Sequence, residues 1–140
     1  MKTLKEAQEE VVEEMSMFDD WLDKYSYLID LGATLETLPE SARTEDNLIK
    51  GCQSRVWLDC NKEGNIIYFR ADSDALITKG IIALLVRVYS GRTLEEIRED
   101  DFRFLDSIGL KENLSPTRAG GLNAMIAKIK SYALLYVRNN

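Results

Sequence analysis

Lys50-Gly51-Cys52-Gln53-Ser54-Arg55-Val56-Trp57 runs from a loop of small and polar residues directly into a segment that reads as a strand. Val56, Leu58 and Cys60 alternate with Arg55, Trp57 and Asp59, which is the two-residue period of a half-buried strand. Asn61-Lys62-Glu63-Gly64-Asn65 supplies turn chemistry, and Ile66-Ile67-Tyr68-Phe69 is a β-branched and aromatic run, so a β-hairpin is expected here.

Working outward towards the N-terminus, Asn47-Leu48-Ile49 reads as a short strand, and Leu38 to Asp46 as a polar connector with a turn-favouring Pro39. Leu4, Ala7, Val11, Met15 and Phe18 recur at steps of three and four, with glutamates mostly between them, which predicts an amphipathic helix over 4–18. Its acidic stripe reads as a solvated face. Asp19 and Asp20 are placed to cap a second helix with Trp21, Leu22, Tyr25, Leu28, Ile29 and Leu31 on its apolar face, running towards Gly32.

On the other side, Asp72-Ser73-Asp74 is a run of helix-capping residues before a segment from Ala75 to Tyr89 that is apolar nearly all round, the pattern of a central buried helix. Gly91 ends it, Thr93 caps a short helix through Ile97, and Phe102 to Ile108 form another short helix or turn. Ser115-Pro116 is a strong helix start, with serine at the cap and proline at the first helical position. Leu122, Met125, Ile126, Ile129, Tyr132 and Ala133 then share one face of the last helix. No repeat, low-complexity tract or second domain is visible, and 140 residues suit one domain, 1–140, with one core.

The bulk composition excludes several classes. With 45% hydrophobic and 30% charged residues the chain is globular rather than disordered. A net charge of −6 argues against nucleic acid, which needs a basic face, and suits a protein partner with a basic patch. The longest apolar run, Ile81 to Val86, is far shorter than the roughly 18 residues of a membrane span. Residues 1–6 lack the apolar run of a signal peptide. A cytoplasmic protein is expected, with its two cysteines as thiols.

Cys52 is the candidate nucleophile. Lys50 and Arg55 lie within three positions of it and Gly51 removes one screening side chain, so an accessible thiol with a pKa below the ordinary value of about 8.5 is expected. On these residues alone, a small hydrophobe in a turn explains Cys52 equally. Cys60 is in phase with Val56 and Leu58 and reads as a buried structural thiol. A disulfide between the two is poorly placed, because a strand from Ser54 to Cys60 spans about 20 Å at roughly 3.3 Å per residue. Bridged Cα atoms lie within about 7 Å. Arg118 puts a cation at the positive end of a helix dipole, at a cost of about 0.3–1 kcal/mol. It is either an ordinary exposed arginine or a group aimed at an anion. Asp72 and Asp74 could line a site, though helix capping explains them alone.

There is no histidine and no CxxC spacing, which removes Cys-His catalysis, His-containing metal sites, thioredoxin exchange and multi-cysteine clusters. No glycine-rich phosphate loop follows a strand. No metal site is expected. What remains for Cys52 is chemistry that needs one thiol and a partner.

Together these segments resemble the SufE/CsdE family of sulfur acceptors for cysteine desulfurases. The resemblance rests on Asn47 to Trp57 with its Gly51-Cys52-Gln53-Ser54, on Ala71-Asp72-Ser73-Asp74-Ala75 with Lys79-Gly80, and on Leu114-Ser115-Pro116-Thr117-Arg118 with Gly121-Leu122. Trp21, Tyr25, Tyr27-Leu28-Ile29, Leu31-Gly32 and Gly91-Arg92-Thr93 extend it over nearly the whole chain. It implies an α+β fold with a small antiparallel sheet packed by helices, similar to iron–sulfur scaffold proteins. It also implies that Cys52 accepts persulfide sulfur from a SufS-type, pyridoxal-phosphate-dependent desulfurase and passes it towards an iron–sulfur scaffold. The pyridoxal phosphate belongs to the partner and no cofactor is bound by the carrier, which is a sulfur-transfer partner, monomer or homodimer, rather than a stand-alone enzyme. Arg118 inherits a supporting or partner-contact role, and Gly51, Gln53, Ser54, Asp72 and Asp74 are further candidates for it. Two other readings remain open: a thiol-based oxidant sensor or peroxidase, and an adaptor that activates the desulfurase without using Cys52.

Overall fold

The computed structural model describes residues 2–138, with side chains described for residues 2–135. Helix α1 spans Leu4–Ser16 and stops short of Phe18; Thr3 and Glu6 close a reciprocal cap at its start, and Ala7, Val11 and Met15 are its buried positions. Helix α2 spans Trp21–Gly32, with the Asp20 carboxylate accepting the Asp23 N–H at 2.9 Å as expected. Leu28 and Gly32 face inward, whereas Leu22 is 75% exposed despite its place in the apolar pattern.

The hairpin forms as expected from β1, Val56–Glu63, and β2, Ile66–Ser73, paired antiparallel from Val56 opposite Ser73 to Glu63 opposite Ile66. The turn is shorter than the sequence suggested. β1 continues through Asn61, Lys62 and Glu63, leaving Gly64-Asn65 to reverse the chain, with Gly64 at φ +60° where a side chain is disfavoured. A third strand, β3, is only Arg92–Thr93 and pairs with Ile67 and Ile66. The sheet order is β1-β2-β3. Asn47 to Ile49 does not become a strand; it contributes a single bridge, Leu48 with Trp57.

Helix α3, Leu76–Tyr89, is the buried centre of the molecule. It packs on β2 on one side and α2 on the other. The contact with α2 is backbone to backbone: Gly32 lies against Gly80, and a Cβ on Gly80 would sit 2.2 Å from the Leu28 carbonyl oxygen. Asp72, Ser73 and Asp74 do not cap this helix. Its N-cap is Ala75, with no side-chain cap bond, because strand pairing carries β2 through Ser73 and turns these side chains to other work. Helices α4, Leu94–Glu99, and α5, Phe104–Ser107, follow, α4 capped by Thr93 with Glu96. Helix α6 covers Pro116–Arg138 and buries Leu122, Met125, Ile129 and Ala133, as its pattern required.

Besides Glu6, which caps the helix, two further members of the acidic stripe on α1 are not merely solvated. Arg87 of α3 reaches Glu14 at 2.9 Å and also pairs with Glu10, while Tyr27 of α2 donates to Glu14 at 2.9 Å. The Arg87 hydrogen bonds hold the Glu14 carboxyl below the usual carboxylate range against the opposing effect of burial, with Tyr27 assisting. A lowered folded-state pKa stabilises the fold above the unfolded value of about 4.3 and the benefit is lost as pH falls through the folded value. Glu14→Gln is therefore expected to lower the melting temperature at pH 7 and to converge on the wild type as pH drops through the carboxylate range. A gap between the two melting curves that stays constant with pH would contradict this.

Candidate functional site

The loop of residues 50–55 is fixed at both ends. Ile49 donates to the Val56 carbonyl at 2.8 Å and Leu58 to the Asn47 carbonyl at 2.8 Å. Gly51 has φ +93°, a conformation that side-chain-bearing residues rarely adopt. At the far end Arg55 is held by its backbone: its N–H donates to the Asp74 carboxylate at 3.0 Å, and its carbonyl accepts the Ser73 hydroxyl at 2.8 Å and the Asp74 N–H at 3.2 Å. Asp74 thus clamps the loop from outside the pocket.

Between these anchors the Cys52 thiol turns inward and donates to the Gly121 carbonyl, with Sγ 3.6 Å from the oxygen. It is partly buried. Gly121, near the start of α6, lets the thiol come close: a Cβ there would lie 3.3 Å from Sγ, near enough that the sulfur would have to shift slightly. Thr78 and Ile81 of α3 and Thr117, Arg118 and Met125 of α6 join Cys52, Gln53 and Ser54 around a pocket of about 70 Å³. Ser115 caps α6, accepting the Arg118 N–H at 3.3 Å, and so places Arg118 at the mouth. Arg118 is exposed, and its guanidinium has no ion pair among the described residues.

The thiol's acidity runs opposite to the expectation from its neighbours in sequence. Burial pushes the Cys52 thiol above its ordinary value. Lys50, which the sequence offered as an activating cation, is turned away to pair with Glu45. In a rate-against-pH series with iodoacetamide, Cys52 should react with a midpoint above about 8.5 and more slowly than free cysteine at neutral pH, the difference vanishing in denaturant. A midpoint at or below that value would contradict the burial argument.

Of the other candidates, Gln53, Ser54 and Arg118 line the pocket and Gly51 shapes the turn beside it. Asp72 lies outside it, opposite Trp57 in the sheet. Burial alone would raise the Asp72 carboxyl, but the Ser73 N–H at 2.8 Å, Arg43, and Lys79 at 3.4 Å hold it below its usual range. Arg43 also lies over the Trp57 ring, 5.1 Å from its centroid. Asp72 is thus an anchor for the connector after α2. Thr78, Ile81 and Met125 were not legible as site residues, and Thr117 and Gly121 only as parts of motifs, because only the packing of α3 and α6 against the loop brings them to Cys52.

A larger cleft, about 780 Å³, lies elsewhere, between the sheet, residues 34–36 and α3. Its two arginines, Arg70 and Arg87, are already paired with Asp59 and with Glu10 and Glu14, so it offers no uncompensated cation to an anionic ligand. Cys60 borders it, partly rather than fully buried, on the strand opposite Phe69. Among the described residues no group of three or more His, Cys, Asp or Glu is placed to hold a metal, and no helix is long and apolar enough to cross a membrane.

The model of the SufE domain, described as an Fe–S metabolism associated domain, matches residues 9–133 and so includes every wall of the Cys52 pocket. The chain belongs to the SufE family. This SufE-family chain is 38% identical over 130 residues to an uncharacterized SufE-like protein of Rhizobium meliloti, a match covering 89% of the chain and 93% of that relative. It is 39% identical, over 89% of the chain and 88% of the relative, to an uncharacterized SufE-like protein of Rhizobium etli. The solution structure of a hypothetical protein from Thermus thermophilus has the same fold, with a TM-score of 0.77 over 94% of the chain and 96% of that structure at 19% identity. The α+β architecture expected from sequence is thus the one this SufE-family chain adopts.

Proposed function

We propose that this protein carries sulfur: Cys52 takes the outer sulfur of a persulfide held by a SufS-type, pyridoxal-phosphate-dependent cysteine desulfurase and delivers it for iron–sulfur cluster assembly. The observation that carries the reading is the size and lining of the Cys52 pocket. Its 70 Å³ is a small fraction of the roughly 300–1,000 Å³ of a small-molecule site, yet it exceeds the roughly 10–15 Å³ of cavity space that one water needs. One added sulfur atom fits there and a substrate does not.

In the transfer, the Cys52 thiol loses its proton and its thiolate attacks the outer sulfur of the partner's persulfide. A new S–S bond forms at Cys52, the partner's S–S bond breaks, and the partner's cysteine leaves as a thiolate that takes up a proton. No external oxidant or reductant is consumed. Arg118 supplies positive charge at the mouth for the sulfur anion. The burial that raises the thiol's pKa keeps Cys52 protonated and quiet at rest, and afterwards shelters the persulfide from stray thiols. For the attack the 50–55 loop must present Sγ outward, which costs the contact with the Gly121 carbonyl and loosens the Asp74 clamp on Arg55.

The test is intact-mass measurement after incubation with a purified SufS-type desulfurase, L-cysteine and pyridoxal phosphate. Gain of one sulfur atom on the wild type, removed by reductant, supports the carrier. Oxidation by peroxide with no sulfur gained from the desulfurase would replace it with the oxidant-sensor reading, against which the raised thiol pKa counts.

A further inference from the structure

The surface around the Cys52 pocket differs in character from the chain as a whole. The chain carries a net charge of −6, but the cations around the 50–55 loop include two that form no ion pair among the described residues, although Glu45 lies within electrostatic reach of one of them, Arg55. Lys50, Arg43 and Lys79 each have a carboxylate partner. Arg55, three residues beyond Cys52, and Arg118, at the pocket mouth, are exposed and have no ion pair among the described residues. Arg55 is fixed through its backbone to Asp74 and Ser73, which leaves its guanidinium available to solvent or a partner.

Beside them is an apolar side chain with no reason of its own to be in water. Leu76 is the first residue of α3 and is 68% exposed, while the rest of that helix holds the core. It lies two residues after Asp74, which clamps Arg55, and two before Thr78, which lines the pocket. Leu22, on α2, is the other leucine as exposed as this, and it does not share the segment between Asp74 and Thr78. Leu134 is thirteen residues beyond Gly121 on α6, a separation of about 20 Å at 1.5 Å per residue.

We infer that Leu76 is the apolar anchor, and Arg55 with Arg118 the charged rim, of the surface by which this chain recognises its sulfur donor, and that the matching face of the donor is an acidic rim around an apolar socket. The inference rests on the sulfur-acceptor reading and adds to it the partner's chemistry and the residue that sets affinity. Docking would take the exposed apolar area of Leu76 out of water, while the arginines, a residue type enriched in interface hot spots, supply a steering rim. The sign is opposite to what the bulk charge suggests, because docking senses the local field within a Debye length of about 8–10 Å rather than the sum over the chain.

The experiment uses the full chain with a purified SufS-type cysteine desulfurase and L-cysteine, measuring alanine release and sulfur on Cys52 as functions of acceptor concentration. Leu76→Ala should raise the half-saturating concentration about tenfold with the maximal rate unchanged, the pattern of lost binding rather than lost chemistry. Leu134→Ala should leave both unchanged. Arg55→Glu should raise the half-saturating concentration and reduce its salt dependence, and Arg55→Lys should largely restore it, since the backbone clamp to Asp74 is kept in both. If Leu76→Ala and Leu134→Ala behave alike while wild-type Cys52 is still loaded, the anchor assignment is wrong and the carrier reading stands. If the wild type gains no sulfur at any concentration, the carrier reading itself falls and takes the inference with it.

Discussion

Cys52→Ser is expected to reduce sulfur uptake to the level of a reaction without acceptor, with no change in fold. Serine is close to cysteine in size, and the loop is held by the backbone bonds of Ile49 with Val56 and of Arg55 with Asp74 rather than by the thiol, so the loop stays in place. It cannot supply a thiolate at neutral pH or form an S–S bond, so no partial activity is available to it. Intact mass should show one added sulfur on the wild type and none on the variant, and Cys60→Ser should load like the wild type because Cys60 lies in β1 opposite Phe69, outside the Cys52 pocket. Stimulation of alanine release that survives in Cys52→Ser would identify the protein as an adaptor. Sulfur on Cys60 in the variant would move the acceptor role to the second thiol.

Gly80→Ala should be the most destabilising single methyl addition in the molecule. The new Cβ would lie 2.2 Å from the Leu28 carbonyl oxygen, 2.5 Å from its carbonyl carbon and 2.9 Å from its Cβ. Neither group is the tip of a flexible side chain, so α2 and α3 must separate along their line of contact. Alanine favours a helix over glycine by about 1 kcal/mol, but forced overpacking costs about 1–3 kcal/mol, more where backbone must move. A net loss of about 2 kcal/mol is expected, read as a lower urea midpoint at an unchanged m-value. Gly120→Ala provides the contrast: nothing lies within 4 Å of a Cβ there, so the propensity gain should stand alone and raise the midpoint. A Gly80→Ala midpoint equal to or above the wild type would mean that the two helices are not locked at this spacing.

Much of the fold could be read from local pattern. The period of Leu4 to Met15, the alternation from Val56 to Cys60 and the Ser115-Pro116 start all act within a few residues, and all became the elements expected. Features created by distant chain segments could not be read this way. β3 is two residues long, too short for a period, and exists only because Ile66 and Ile67 are there to pair with it. Asp72 to Asp74 carry helix-capping chemistry, yet their side chains and the adjoining backbone meet Arg55 and Arg43, eighteen or more residues earlier.

The same limit governs the site. Cys52 and Arg118 stood out as unusual in their own neighbourhoods, and the fold brings both to one pocket. The thiol's acidity was misread because adjacency in sequence is not adjacency in space. Lys50 turns to Glu45, and what surrounds Sγ is the carbonyl and the apolar walls supplied by α3 and α6.

The paired anchors of the 50–55 loop bear on the clock of the reaction. A segment this short, tied down at Ile49 with Val56 and at Arg55 with Asp74, has few arrangements to search. Even a ten-residue loop closes in about 10–100 ns. In the proposed transfer, presentation of Sγ is therefore expected to be gated by a handful of breakable contacts rather than by chain diffusion, and a docking partner that loosened them would shorten the sheltered state.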